Sequence, residues 1–299
     1  VSACTGIAAT RSPARSPVRS RGRPSSPAGH APLRLAALLA PAAAVFAAFF
    51  LLPLVRLIAI GAGGAEGWGA YLATLTDPGH LDSLVSTLAL SAGVTVATLA
   101  IATVAGLFLV RHRFPGHALL VALLTFPLAF PGAVIGFMVI MLAGRQGLIG
   151  TVTQALTGGR LVFAYSMAGL FLGYVYFSIP RVILTVMAAA EKLDPRLEEA
   201  ARSLGAPPWR VAADVILPAL KPALISAGAL CFATAMGAFG TAFTLATRIN
   251  VLPMTIYTEF TLQANIAAAA ALSVLLGLIT WAALALARSA AGGSVAAAG

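Results

Sequence analysis

The chain has 299 residues, of which 60% are hydrophobic and only 9% charged, with 19 Lys and Arg against 9 Asp and Glu for a formal net charge of +10. With a mean hydropathy of +0.95 there is too little charge to cover a soluble surface, so the composition excludes a water-soluble globular domain and indicates a polytopic membrane protein. The two cysteines, Cys4 in a polar tail and Cys231 in an apolar run, support neither a disulfide framework nor a metal-site spacing.

Residues 1–33 are rich in Ser, Pro, Arg and Gly with almost nothing to bury, and are predicted to be a disordered basic tail that enforces topology or rests against anionic head groups. The tail lacks the apolar core of a cleavable signal peptide, and the apolar run after it is expected to be retained as a span. A membrane domain of residues 34–299 follows. Stretches long enough to cross about 30 Å of hydrocarbon, roughly 20 residues each, fall near 35–55, 84–110, 118–142, 166–190, 223–245 and 264–287. The fold class is therefore all-α, with six transmembrane helices.

Basic residues set the expected orientation. Arg11, Arg15, Arg19, Arg21, Arg23 and Arg34 precede the first span, Arg111 and Arg113 follow the second, and Lys192, Arg196, Arg202, Arg210 and Lys221 follow the fourth. The alternate loops hold only Arg56, Arg145, Arg160 and Arg248. The positive-inside rule then makes both termini and the 191–222 loop cytoplasmic.

That loop has its own legible structure. Asp194 before Pro195 is a helix start, with an acceptor side chain at the cap and a residue lacking N–H in the first turn. Leu193, Leu197, Ala200, Ala201 and Leu204 recur at helical spacing while Glu198, Glu199 and Arg202 point elsewhere, which predicts a short amphipathic helix. Gly205 stands where a left-handed turn would end it. Pro207 forces an extended step, and Pro208 opens a second short helix through Trp209, Arg210 and Val211. Spacing alone equally suits an amphipathic segment lying on the bilayer.

Glu199, Ala200 and Ala201, then Gly205, then nine intervening residues before Val215, Leu217 and Pro218, resemble the EAA loop of the membrane subunits of bacterial ATP-binding-cassette importers. The resemblance extends from Leu84 to Arg288. It implies a type I importer permease fold in the bacterial cytoplasmic (inner) membrane, with cytoplasmic coupling helices that seat in a dimer of ABC ATPases and convert its closure into movement of the membrane helices. Carried over residue by residue, Glu199, Ala200 and Ala201 lie at the docking surface, Gly205 at the turn, and Leu217 and Pro218 complete the motif. Two positions depart from the pattern: Pro207 replaces a frequent capping Ser, and Val215 replaces the favoured isoleucine.

No phosphate loop of the form G-x-x-x-x-G-K-[ST] is present, and neither Lys192 nor Lys221 follows a glycine, so ATP and Mg are expected in the partner ATPase. No catalytic residue, cofactor or metal site is expected in this subunit, nor a nucleic-acid partner. The nine acidic residues, Glu66, Asp77, Asp82, Glu191, Asp194, Glu198, Glu199, Asp214 and Glu259, fall in loops or at span ends. This disfavours an ion-coupled secondary transporter, which places ionisable groups inside its helices. A passive channel or a non-transporting scaffold is disfavoured by the docking loop.

Within the spans, Pro127, Pro131 and Gly132 interrupt the third and Pro180 the fourth, as hinges or as tolerated kinks. Gly237, Phe239, Thr241 and Thr244 form a small-plus-aromatic cluster that suits either a translocation path or helix packing. Arg181, just after Pro180, is expected to snorkel to the cytoplasmic surface or pair with a lipid head group, in preference to a substrate contact. The stretch from Gly237 to Ser273 is similar to spermidine/putrescine-type permeases and their relatives for phosphonates, opines and ferric iron. This implies a pore shared with a second permease, more often a paralogue than a copy, and a solute brought by an extracytoplasmic binding protein. A polyamine is the first expectation; ferric iron or 2-aminoethylphosphonate is the alternative. Glu259, near the outer end of the sixth span, is the acid placed to meet a delivered cation or the binding protein.

Overall fold

A computed structural model describes residues 31–63, 67–245 and 249–291. Of the expected disordered tail, residues 1–30 lie outside the described residues, as do Glu66 and Arg248, and residues 31–33 open the first helix. Two compact units divide between Pro53 and Leu54. The first is helical where described: α1 (Ala31–Phe46), a π-helical turn over Ala47–Leu51, and the opening of α2 (Leu52–Gly61). Its side chains from Leu38 onward are exposed, as expected of a helix whose surroundings are lipid or another chain.

The second unit contains the rest of α2, α3 (Gly69–Thr76), α4 (Pro78–Arg111), α5 (His117–Thr125), α6 (Gly132–Ala143), α7 (Leu148–Thr157) and α8 (Met167–Ala190). It continues through α9 (Pro195–Ser203), α10 (Pro208–Arg210), a π-helical turn over Val211–Ile216, α11 (Leu217–Met236), α12 (Phe239–Leu245), α13 (Leu252–Thr261) and α14 (Ile266–Ala291). Six helical stretches among the described residues are long and apolar enough to cross a membrane: Leu38–Gly61, Pro78–Arg111, Gly132–Thr157, Met167–Ala190, Pro208–Met236 and Ile266–Ala291.

The centre of this unit is the pair α4 and α8, which run parallel. Gly93, midway along α4, faces Phe171 near the start of α8, and Gly106 faces Val186 near the ends of both. Small residues permit this approach; a Cβ on Gly106 would stand 3.0 Å from Val186 Cγ1. Between membrane helices such close packing supplies the attraction that apolar burial supplies in water. Val94, Leu170, Tyr174, Val182, Ile183 and Val186 form the core here, joined by Cys231 of α11 and by Ala242 and Leu245 of α12. The Tyr174 hydroxyl donates to the Ala238 carbonyl in the break between α11 and α12.

Three spans differ from expectation. The third does not run through 118–142: α5 tightens into a 3-10 turn over Phe126–Ala129, Phe130 and Pro131 are extended, and α6 starts afresh at Gly132. Pro127 and Pro131 cannot donate to a helix, and Pro131 disfavours helical geometry at Phe130. Pro180, in contrast, leaves α8 continuous. The fifth begins in the loop, at Pro208, and ends at Met236 instead of Leu245, and a separate helix, α13, precedes the sixth.

The break in the third span is stabilised by α12. The Thr241 hydroxyl donates to the Gly132 carbonyl at 2.8 Å, and Gly136 sits so close to Thr244 that an added Cβ would stand 1.6 Å from Oγ1. A Gly136→Ala chain is expected to lose about 1–3 kcal/mol of packing by forcing α6 and α12 apart. Thermal loss of the monodisperse peak in detergent chromatography measures it, and Thr244→Ala in the same chain should restore part.

Candidate functional site

The hairpin of α9 and α10 is specified by its own residues. The Asp194 side chain accepts from the Arg196 N–H at 3.0 Å, with Pro195 at the first helical position. At the other end Ala206 N–H bonds the Ala201 carbonyl at 3.1 Å and Gly205 N–H bonds the Arg202 carbonyl at 2.9 Å. This is a Schellman closure with Gly205 at φ +81°. Nothing lies within 4 Å of where a Gly205 Cβ would stand, so the backbone angle alone demands glycine. Pro207, extended at φ −67° and ψ 157°, heads α10 without any side-chain cap, and from Pro208 the chain is helical into α11.

The faces of α9 divide differently from the expectation. Leu197 is 56% exposed, Leu204 89% and Trp209 66%, and Glu199, Ala200 and Gly205 share that open surface. Ala201, expected beside them, turns inward against Ala190, Val211, Ile216 and Leu220. Its methyl completes the apolar seat that holds the helix to its own chain. Glu198 also turns inward, forming a hydrogen-bonded ion pair with Arg111, the last residue of α4, while Arg202 stands 3.6 Å away on its other oxygen. Leu217 and Pro218 lie exposed at the start of α11, along a cleft of about 600 Å³ that also involves Leu99, Lys221 and Leu224.

The opposite ends of the helices carry a polar cluster. Asp77 caps α4, accepting from Gly79 N–H at 2.8 Å and His80 N–H at 3.0 Å. The His80 amide, with that of Gly79, holds the Asp77 carboxyl below the usual carboxylate range. One turn in, His80 Nε2 lies 3.3 Å from Glu259 Oε1, Ser83 accepts from the Thr255 hydroxyl at 2.8 Å, and Thr87 accepts from the Leu252 N–H at 2.7 Å. Glu259 thus belongs to α13 and not to the sixth span. It is buried, with a cleft of about 690 Å³ beside it.

Of the small-plus-aromatic cluster, Thr241 is buried in the α6 interface and Thr244 spends its hydroxyl on its own helix, at 3.0 Å from the Thr241 carbonyl. Thr241 donates across to the first carbonyl of α6, at Gly132. Gly237 is exposed at the end of α11. Phe239 stacks in a trio with Phe243 and Tyr257, ring centroids 5.3–5.5 Å apart.

Arg181 does not reach back toward the α9 end. Its guanidinium lies 5.6 Å from the ring centre of Phe177, one turn in the opposite direction, as side chains on a helix lean toward its N-terminus. By helical rise it stands about 14 Å from Ala190, near the middle of a 24-residue span. Among the described residues no acid is within ion-pair distance of it. An arginine turned to lipid at that depth costs about 3 kcal/mol on insertion scales. Sequence reasoning noticed the residue but missed its direction, which the lean of helical side chains supplies.

Among the described residues no three His, Cys, Asp or Glu side chains gather to hold a metal ion. The arrangement is one of helices, breaks and docking faces. In sequence the chain is 34% identical to the molybdenum transport system permease protein ModB of Escherichia coli K12 over 188 residues, 62% of this chain and 81% of that protein. It is 31% identical to a putative 2-aminoethylphosphonate transport system permease protein, PhnU, of Salmonella typhi over 234 residues, 76% of this chain and 81% of that one. In fold it is similar to a chain in the crystal structure of a bacterial alginate ABC transporter in complex with alginate pentasaccharide-bound periplasmic protein, at a TM-score of 0.72 and 15% identity, covering 86% of this chain and 93% of that chain. Residues 98–291 match the family of binding-protein-dependent transport system inner membrane components, and to that family the chain belongs, as a multi-pass membrane permease subunit of an ATP-binding-cassette importer for a small solute.

Proposed function

We propose that this subunit lines half of the translocation pathway for a small oxyanion. The observation that carries the reading is the charge inside the membrane helices: no carboxylate occupies the middle of any candidate span, and the middle of α8 holds Arg181. The names of the two sequence relatives, for molybdenum and 2-aminoethylphosphonate transport, agree with it, since molybdenum in oxygenated water is the molybdate oxyanion and a phosphonate presents the same kind of group.

A polycation such as spermidine or putrescine would seek carboxylates or aromatic faces. Glu259 is 7% exposed and lies 3.3 Å from His80, so little of it reaches the cleft it borders. The trio of Phe239, Phe243 and Tyr257 is the feature that favours the polyamine reading. Ferric iron gains no cluster of ligands among the described residues.

The rest of the assembly follows from the α9 hairpin. Its open surface of Leu197, Ala200, Leu204, Gly205 and Trp209 suits a seat for a dimer of ATPases that bind ATP and Mg, a reading in which that hairpin and both termini are cytoplasmic. The polar ends of α4 and α13 then face outward, where a binding protein delivers the solute. A second permease, a paralogue by expectation, completes the pathway. ATP draws the ATPases together, α9 moves with them, and the bundle opens outward; hydrolysis restores the inward-facing state.

Cells expressing the complete importer, compared with cells lacking this chain, test the substrate class. Uptake of labelled molybdate, sulfate or 2-aminoethylphosphonate should depend on the chain, and spermidine should neither enter by it nor compete. Chain-dependent spermidine uptake that oxyanions leave untouched would overturn the reading in favour of the polyamine.

A further inference from the structure

We propose that Arg181 on α8 and Lys192 in the turn that follows it are successive cationic steps, and that the cleft between α8 and α11, which Lys192 lines and which starts one turn below Arg181 at Thr185, is the inner exit for the transported oxyanion. The inference rests on the oxyanion reading and adds to it a route and two residues.

The spacing comes first. Arg181, Thr185, Ala188 and Lys192 follow one another at intervals of four, three and four, so they lie along a single helical stripe. The opposite stripe is the one packed in the core: Val182, Ile183 and Val186 are each 1% exposed. The Arg181 stripe is not covered in this way, since Arg181 and Thr185 are half-buried while Ala188 and Lys192 are exposed. A helix that places a charge in mid-span on an uncovered stripe must turn that stripe toward water or protein, because hydrocarbon cannot solvate it.

A cleft of about 630 Å³ is already present along this stripe. Thr185, Ala188 and Lys192 form its α8 wall, and Ala219, Pro222 and Ser226 its α11 wall. The groove is larger than a small tetrahedral oxyanion. The walls are mostly apolar, with Leu184 and Leu193 beside small side chains and the hydroxyls of Thr185 and Ser226, and Arg181 stands about 6 Å above Thr185 by helical rise.

The charges along the cleft are of one sign. Glu191, the acid adjacent to Lys192, lines a different cavity, with Arg113 and His117. Lys192, two residues beyond the end of α8, follows Arg181 by about 16 Å along the helix axis, too far for both to hold one small anion. An ion passing from the first to the second would therefore never be clamped by the two together. Sites that are each attractive and individually weak are what conduction requires. The Phe177 ring holds the Arg181 guanidinium from the side away from the cleft, with no carboxylate to neutralise it.

Charge-selective thiol labelling tests the route on the assembled importer. Ala188→Cys and Ser226→Cys chains in inverted membrane vesicles are exposed from the α9 side to two small methanethiosulfonates, one bearing a sulfonate and one a trimethylammonium group. The native chain, whose Cys231 is buried, sets the background. Both cysteines should react, the sulfonate reagent roughly tenfold faster than the cation, and that preference should fall with Arg181→Gln and return with Arg181→Lys. Failure of both reagents would show the stripe sealed by lipid or by the second permease, and equal rates would show no cationic field; either result overturns the proposal.

Uptake provides the second arm. Arg181→Gln should slow chain-dependent oxyanion uptake roughly ten- to a hundredfold, the loss of one charge-assisted contact, with Arg181→Lys largely restoring it and ATP hydrolysis by the complex unchanged. If the native importer carries oxyanions and Arg181→Gln carries them as fast, the exit proposal fails alone. If the native importer carries only polyamines, the substrate reading fails with it.

Discussion

Replacement of Gly205 by Asp is expected to leave the subunit inserted and folded while abolishing transport. The turn at Gly205 is left-handed, at φ +81°, and a side chain there costs about 1–2 kcal/mol of backbone strain. Nothing lies within 4 Å to clash with the new Cβ, so the fold bears only that strain. The carboxylate instead projects from the surface shared with Leu197, Leu204 and Trp209, where the ATPase is proposed to seat. A charge buried there without a partner disrupts the contact far more than it disrupts the hairpin. Gly205→Asn separates the two effects, because asparagine tolerates the left-handed region and carries no charge; it should keep the turn and retain measurable uptake. The measurement is solute uptake together with recovery of the ATPase on the purified subunit. Normal uptake by Gly205→Asp would remove the hairpin from the coupling mechanism.

Charge reversal at the Arg111–Glu198 pair is expected to uncouple hydrolysis from transport, and double reversal to recouple them. The pair ties α9 to the end of α4, the helix that packs along α8 through the centre of the fold. Its contribution to stability is modest, about 1 kcal/mol or less for an ion pair that is partly open to solvent. On the proposed coupling its position gives it a larger role, as a polar link between α9 and the end of α4. Arg111→Glu or Glu198→Arg alone sets like charges against each other, and each should lower uptake roughly tenfold while ATP hydrolysis continues. Arg111→Glu with Glu198→Arg restores opposite charges and should recover most of the lost uptake. A double variant as impaired as the singles would show that the residues act separately. Singles with full uptake would show that the apolar seat of Ala201 on Val211 and Ile216 transmits the motion unaided.

Local chemistry made much of this protein legible in advance. The existence of six spans follows from runs of apolar residues, and the α9 hairpin from Asp194, Pro195, Gly205 and Pro208, each of which acts on its own backbone or its immediate neighbours. The family followed from the spacing between Glu199 and Pro218. What the sequence could not decide is which residues lie opposite one another. Pro180 is carried within a continuous α8 while the third span breaks at Pro127 and Pro131, and which helix packs against that break, α12 through Thr241, is not written in the prolines. Ala200 and Ala201 are indistinguishable in sequence, yet one faces out and the other packs on Val211, because only the docked helix has an inside. Glu198 finds Arg111 across 87 residues, and Glu259 finds His80 across 179. Such partners are chosen by the packing of α4, α8 and α13, a property of the assembled bundle and not of any stretch of chain.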